Sequence, residues 1–407
     1  MLSFEAARAK VMEVIGARAG TPDTELVDIS KDPVQALERV LAEDVTADRD
    51  YPPFDRSTRD GYAVRAADAS QAGARLRLVG ESRAGVAFEG AVGAGECVRI
   101  LTGAAVPNGA DAVVMQEYAR VEGDCVVFER AATTGQNFVV AGTESRAGDV
   151  LLRRGKRLGY AELAMAAQAG HAKLRVNRRP RVAILSTGDE VADLKETPGP
   201  FQIRNSNSVS LAAQVSYAGG EPVALGNARD ELGDLRARIE RGLATDMLVL
   251  SGGVSVGTYD LVEQVLQELG AEFFFDSVAI RPGKPAVFGW CRGKPVFGLP
   301  GNPVSTMVTF ELFVAPAVEM LSGAEPRPLF SKAKLAQAVS EKTPLAHFLP
   351  ARVSWTSGDP VVEMIPWQGS GDVGAVVRGN CFLVVRGDRQ QLSAGEWVDI
   401  LVRRGII

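Results

Sequence analysis

Four short stretches carry residues that could do chemistry: 186-STGDEV-191, 226-GNARDE-231, 251-SGGVSVGTYD-260 and 298-GLPGNPVS-305. Three of them hold carboxylates: Asp189 with Glu190, Asp230, and Asp260. The last two are rich in glycine and run into predicted helix starts. Backbone N–H groups at such turns form a nest for phosphate-like anions. Carboxylates beside a nest repel the anion unless a divalent cation bridges them, which favours Mg2+ with a phosphorylated substrate. Each feature also has a plainer reading. Asp189 could bond its own turn, Asp230 could N-cap the next helix, and SGGVSVG could be an ordinary strand-to-helix connection. That stretch is neither a P-loop nor a dinucleotide fingerprint, because it lacks the Lys-Ser/Thr ending and the G-x-G-x-x-G spacing.

Two further stretches point toward charge. In 279-AIRPGKPAVFG-289, prolines on both sides of Gly-Lys restrict the backbone, so Arg281 and Lys284 are pre-placed cations suited to an oxyanion. In 50-DYPPFDRSTRDGYAV-64, Asp60-Gly61 reads as a tight turn with positive φ, or as a braced loop presenting Asp60 to something cationic. Little other catalytic equipment is available. His171 and His347 are the two histidines, and neither lies in a suggestive motif. Cys97, Cys125, Cys291 and Cys381 lie far apart, which suggests reduced thiols in a cytoplasmic protein rather than disulfides or a zinc knuckle. A net charge of −5 with no basic run gives no reason to expect nucleic acid. Charges interrupt the first helix-like stretch, so it does not read as a signal peptide, and no membrane span is expected.

The elements that must position these residues follow from periodicity. Phe4, Ala7, Val11 and Ile15 make a helical stripe, and Asp32-Pro33 predicts a second helix with Val34, Leu37, Val40 and Leu41 on its apolar face. Residues 47–148 read as an all-β unit inserted between helical pieces, 1–46 and 149–179, that pack together as a helical linker domain. From 180 to 327, apolar strands alternate with amphipathic helices, which predicts a doubly wound parallel sheet with ligands at the strands' carboxyl ends. A hairpin is expected across 285–301, then a helix over 303–321 capped by Asn302-Pro303. Residues 328–407 are again β-rich. At 407 residues, about two to four domains are expected.

Taken in order, PPFDRSTRDGYAV, ILTGAAVPNGADAVV, STGDEV, SGGVSVGTYD, RPGKPAVFG, GLPGNPVS and WQGSG closely resemble the molybdopterin molybdenumtransferases (MoeA and the E domain of gephyrin). The resemblance implies a multidomain α/β and β fold. Its parts are an N-terminal helical linker domain, an inserted β domain, a doubly wound molybdopterin-binding domain of the MogA/MoaB kind and a C-terminal β-barrel. It implies a homodimer with a shared active site that inserts molybdate, a substrate, into adenylylated molybdopterin, releases AMP and requires Mg2+. Transient contact with molybdopterin adenylyltransferase and acceptor molybdoenzymes follows from the same resemblance. Asp60, Thr102, Glu190, Asp230 and Asp260 would be catalytic, with Asp60, Glu190 and Asp260 on the metal. Gly252, Gly253, Ser255 and Gly257 would hold the terminal phosphate, and Arg281 and Lys284 would face the anions. Pro300, Arg352 and Ser370 would approach molybdate.

Some positions depart from the family pattern. Glu144 and Asn205 stand where the family often has aspartate, and Thr258 replaces a common acid before Tyr259. Fewer carboxylates imply altered metal dependence and leave room for a tungstate-preferring paralogue. Two other functions compete: a non-catalytic scaffold built on the same dimer, and a nucleotide or pyrophosphate hydrolase on the same α/β domain.

Overall fold

The computed structural model describes residues 1–253, 261–355 and 358–405. Helix α1 (Phe4–Arg18) starts at Ser3, whose hydroxyl accepts the Ala6 N–H at 3.2 Å. Its stripe of Phe4, Ala7, Val11, Val14 and Ile15 is buried. Strand β1 (Thr24–Asp28) follows. The helix expected from Asp32-Pro33 is only one 3-10 turn, Pro33–Ala36. Asp32 does cap it, accepting the Val34 N–H at 3.1 Å. Val34 is 67% exposed, however, Ala36 is the residue the turn buries, and Glu38 leaves the helical region at φ +62°, so the helix does not continue.

The inserted unit contains β2 (Gly61–Val64), β3 (Arg75–Ser82), β4 (Glu96–Ile100), β5 (Ala112–Met115), β6 (Ala119–Glu122) and β7 (Cys125–Phe128). They form one sheet in the order β5-β2-β4-β3-β7-β6. Side chains alternate across it: Tyr62 and Val64 join one core with Leu76 and Phe128, while Ala63 joins another with Ile100 and Val113. The chain then forms α2 (Tyr160–Gln168) and β8 (Lys173–Asn177). Strand β8 pairs antiparallel with β1, and Ile29, Leu41, Leu158, Leu163 and Val176 share a core. Segments from both sides of the insertion therefore form one stem. The apolar face of α1 lies elsewhere, in the core of the α/β region described next.

That region runs β9 (Arg181–Thr187), α3 (Ser206–Tyr217), β10 (Glu221–Ala228), α4 (Leu232–Leu243), β11 (Met247–Ser251), α5 (Leu261–Glu268), β12 (Glu272–Phe275), β13 (Ile280–Arg281), β14 (Val287–Cys291) and β15 (Lys294–Leu299). Its sheet has the order β10-β9-β11-β15-β14-β12, parallel from β10 to β15 and closed by the expected antiparallel hairpin. Alternation makes it doubly wound. Val182 and Ile184 pack with α1 and α3 on one face, and Ala183 and Leu185 with α4 and α5 on the other.

The helix expected over 303–321 is present as one 19-residue helix with a π turn inside it. Helix α6 (Pro303–Thr309) passes through a π turn, Phe310–Val314, into α7 (Ala315–Leu321). Pro316 has no N–H to donate back into the preceding turn, and the widening sits just before it. Among the described residues, this is the stretch long and apolar enough to cross a membrane, yet 83% of its apolar window is buried inside the protein. The chain ends in β16 (Ser331–Leu335), β17 (Ala346–Ser354), β18 (Val361–Met364), α8 (Val373–Arg378), β19 (Cys381–Val385) and β20 (Trp397–Val402). The ring β17-β18-β16-β20-β19 closes on itself through β17 and β19, a five-stranded barrel, and β13 adds alongside β17. The architecture is the multidomain α/β and β fold expected.

Candidate active site

A cavity of about 590 Å3 opens at the carboxyl ends of β9, β11 and β15, where the doubly wound fold places ligands. Ser186, Thr187 and Glu190 line it from the first loop, Gly252 and Gly253 from the third, and Pro300 to Pro303 from the fourth. The N-terminus of α3 reaches it through Ser206 and Asn207, whose end of the helix is favourable for anions, and Pro303 lines it from the start of α6. Asn205 caps α3, its Oδ1 accepting the Ser208 N–H and the Ser186 hydroxyl, each at 3.1 Å. Both are acceptor roles, so an amide serves where the family often has a carboxylate.

Glycine is required at the third loop. Gly252 and Gly253 have φ +91° and +64°, and a Cβ on Gly253 would lie 2.6 Å from Thr187 Oγ1. Thr187 is buried, and among the described residues its hydroxyl has no hydrogen-bond partner, nor does Asn207 Oδ1. The Asn207 amide donates to Ser251 Oγ and the Gly301 carbonyl, each at 2.8 Å, tying two loops together. Asn227 pins the STGDEV loop by donating to the Gly188 and Val191 carbonyls. Sequence reasoning missed Thr187, Arg204, Asn207 and Asn227. The signal lay in 204-RNSNS-208, whose polar residues open a helix beside a nest. Ser255, Gly257, Asp260 and Thr258 lie outside the described residues.

The remaining expectations divide. Pro300 lines the cavity, and the Ser370 carbonyl accepts the Val304 N–H at 3.0 Å, docking 368–371 on the start of α6 beside Gly371, which lines the cavity. Asn302 stands at the N-cap of α6 but, among the described residues, makes no side-chain cap bond. Thr306 Oγ1 closes the turn instead, donating to the Pro300 and Asn302 carbonyls. Asp189 and Asp230 are exposed, and the Asp230 N–H reaches Asp189 Oδ1 at 3.4 Å, so Asp189 bonds a neighbouring loop rather than its own turn. Asp230 does not cap α4, where Glu231 holds the N-cap position. Arg281 and Lys284 are exposed on the turn that leads to Pro285 in the cavity wall. Arg352 is not brought to the cavity. It points outward from β17 opposite Glu363.

Asp60 is held on the inserted unit, not in this cavity. Its Oδ1 accepts the Thr102 N–H at 2.7 Å and the Thr102 hydroxyl at 2.8 Å. These bonds, the backbone one foremost, hold its carboxyl below the usual aspartate range, and Arg99 adds to them. Asp55 braces the same loop by accepting the Ala141 N–H, and Arg56 pairs with Glu144 at 3.3 Å. Gly61 does not have positive φ. It is needed because Val114 O would sit 2.0 Å from any Cβ there. Asp60 is therefore not brought to the cavity that Glu190 lines, and among the described residues no three His, Cys, Asp or Glu side chains gather to hold a metal. Cysteine chemistry has no support either, since burial pushes the Cys97 and Cys381 thiols up to about 12.

Comparison with known proteins bears on this arrangement. Residues 2–170 match the MoeA N-terminal region (domain I and II), 183–320 the probable molybdopterin binding domain, and 332–402 the MoeA C-terminal region (domain IV). The chain is 35% identical over 379 residues to the molybdopterin molybdenumtransferase of Bacillus subtilis, covering 91% of this chain and 88% of that one. It is 34% identical over 374 residues to the Staphylococcus aureus (strain N315) enzyme of the same name, covering 90% and 89%. Two crystal structures of molybdopterin biosynthesis MoeA protein from Pyrococcus horikoshii superpose with TM-scores of 0.80 and 0.77. The first is 29% identical and covers 99% of this chain and all of that one; the second is 34% identical and covers 99% of each. With the cavity, the inserted unit and the barrel all accounted for, the chain belongs to the molybdopterin molybdenumtransferases, an enzyme family of molybdenum cofactor biosynthesis.

Proposed function

We propose that this chain inserts molybdate into adenylylated molybdopterin with release of AMP, in a Mg2+-dependent reaction, as a cytoplasmic homodimer with shared sites. The observation that carries this reading is the 590 Å3 cavity, where Gly252-Gly253 and the N-terminus of α3 converge beside Glu190. The N–H groups of that rim bind the substrate's phosphates, and Arg281 and Lys284 offset the charge of the second anion, molybdate. Asp60, clasped by Thr102 and absent from the cavity of its own chain, is supplied by a second copy. The donors facing the cavity suit a hard cation: the Glu190 carboxylate, with the oxygens of Thr187 and Asn207, unpartnered among the described residues, nearby. Glu190, Asp260 and a donated Asp60 would hold Mg2+, with phosphate oxygens completing its shell. The ion supplies positive charge against which the phosphoanhydride can be cleaved. The family's dithiolene belongs to the substrate, so the protein need not supply a thiol. Molybdopterin adenylyltransferase and acceptor molybdoenzymes then serve as transient partners before and after this step.

The test is AMP release from adenylylated molybdopterin with and without molybdate and Mg2+. Release that needs both supports the reading. Equal release without molybdate points to a pyrophosphate hydrolase on the same domain.

A further inference from the structure

His347 lies at the start of β17 and is only 2% exposed. Its ring is held at both nitrogens. Nδ1 lies 3.0 Å from a Glu341 carboxylate oxygen, and Nε2 lies 2.6 Å from Thr343 Oγ1. The neutral ring fits this setting, with Nδ1–H donating to Glu341 and the Thr343 hydroxyl donating to Nε2. The register of β13 on β17 puts Arg281 directly opposite His347, and paired residues in a ladder share a face. The joint between the α/β region and the barrel thus sets an imidazole next to the first cation of the Arg-Pro-Gly-Lys-Pro turn.

We propose that His347 is a positioning residue for Arg281, whose protonation strengthens the grip of this turn on an anion. It rests on the reading that Arg281 faces an anion. The charged groups facing the ring are Glu341 on its own loop and Arg281 on β13; β19, on the other side, presents Val385. Burial first, and then Arg281, hold the imidazole below its ordinary range, while Glu341 opposes them, so the ring is neutral at neutral pH. Protonation reverses the Thr343 hydrogen bond, with Nε2–H now donating. The new positive charge pushes the exposed Arg281 toward solvent and adds to the field that an arriving dianion meets. By linkage, a bound anion raises the affinity of His347 for its proton.

The probe is sulfate, a dianion between about pH 5 and pH 8, the window in which a histidine titrates. The two histidines of the chain make the imidazole NMR spectrum simple to assign. Sulfate affinity should rise about three- to tenfold as His347 protonates. The His347 midpoint should move upward in saturating sulfate. His347→Gln should lose this pH step while still binding sulfate. Thr343→Val, which leaves the protonated Nε2–H without its acceptor, should move the step to lower pH. Should His347→Gln prove unstable, the midpoint shift in the unaltered protein and in Thr343→Val decides. A midpoint unmoved by sulfate, in a protein whose binding is abolished by Arg281→Gln, overturns the proposal. Binding indifferent to Arg281→Gln, or no sulfate binding at all, overturns the reading of the turn on which it rests.

Discussion

The Asp60 carboxylate commits one oxygen, Oδ1, to both Thr102 bonds. A carboxylate whose folded pKa is depressed keeps its clasp above the ordinary aspartate range and loses it as pH falls through the depressed value. Thr102→Val removes the hydroxyl bond but keeps the backbone one. The acid limb of the rate profile should then move to higher pH, with turnover falling about tenfold. Asp60→Asn should cost ~100-fold or more in rate with the circular dichroism spectrum and Tm unchanged. Full turnover in both variants would reduce this loop to a tight turn. At this scale, legibility followed chemical type. Asp60, Glu190 and the paired glycines could be singled out because a carboxylate's charge and a glycine's φ freedom belong to the residue type itself. Thr187, Asn207 and Asn227 did not, because a threonine or asparagine declares a role only when its partner, or lack of one, is seen. Gly61 was read as a turn glycine because an approach by Val114, 53 residues away, leaves no mark beside it.

Strands and helices of the α/β region were legible because each segment's period agrees with the face it buries. Val182, Ala183, Ile184 and Leu185 form a continuous apolar run because helices cover both faces of β9. The failure came where a local signal had no packing behind it. Asp32-Pro33 begins a turn that nothing extends, whereas the helix expected over 303–321 is present, its π turn at Phe310–Val314 fully buried and carrying charge. That charge is substantial. Glu311 and Glu319 are buried on this helix, and Arg404, beyond β20, bonds both at 2.7 Å. Burial raises the Glu311 carboxyl, and Arg404 opposes that rise. Arg404→Met leaves the buried Glu311 without a cation, with only the Gln214 amide, among the described residues, donating to it, while Glu319 keeps Arg327 at 3.4 Å and Arg157 at 3.6 Å, and should destabilise the fold by about 3 kcal/mol. Urea unfolding checks this, and a midpoint within error of the parent would show the pair to be dispensable. Adding Glu311→Gln should recover part of the loss.

The whole molecule divides its acids between two places, and the sequence alone could not say whether they meet. Order along the chain puts Asp60 and Glu190 in different units, but it carries no information on which copy supplies which. Heterodimers of an Asp60→Asn protomer with a Glu190→Gln protomer answer that. If the site is shared, one site of each pair contains both native acids, and roughly half the parental rate should return, whereas each homodimer stays at ~100-fold or more below it. Verified heterodimers with no recovery would place both acids in one chain's site. The stem carries one more implication. Thr46 faces Val150, and the Ala47 and Gly148–Asp149 backbones exchange hydrogen bonds of 2.9 Å, so the polypeptide leaves for its long excursion and returns at the same spot. Residues 47–148 are, in effect, a cassette clipped onto a hairpin base. A tight reverse turn spliced in their place would leave the two cut ends already in register, yielding a chain that keeps the cavity at the ends of β9, β11 and β15 but lacks Asp60.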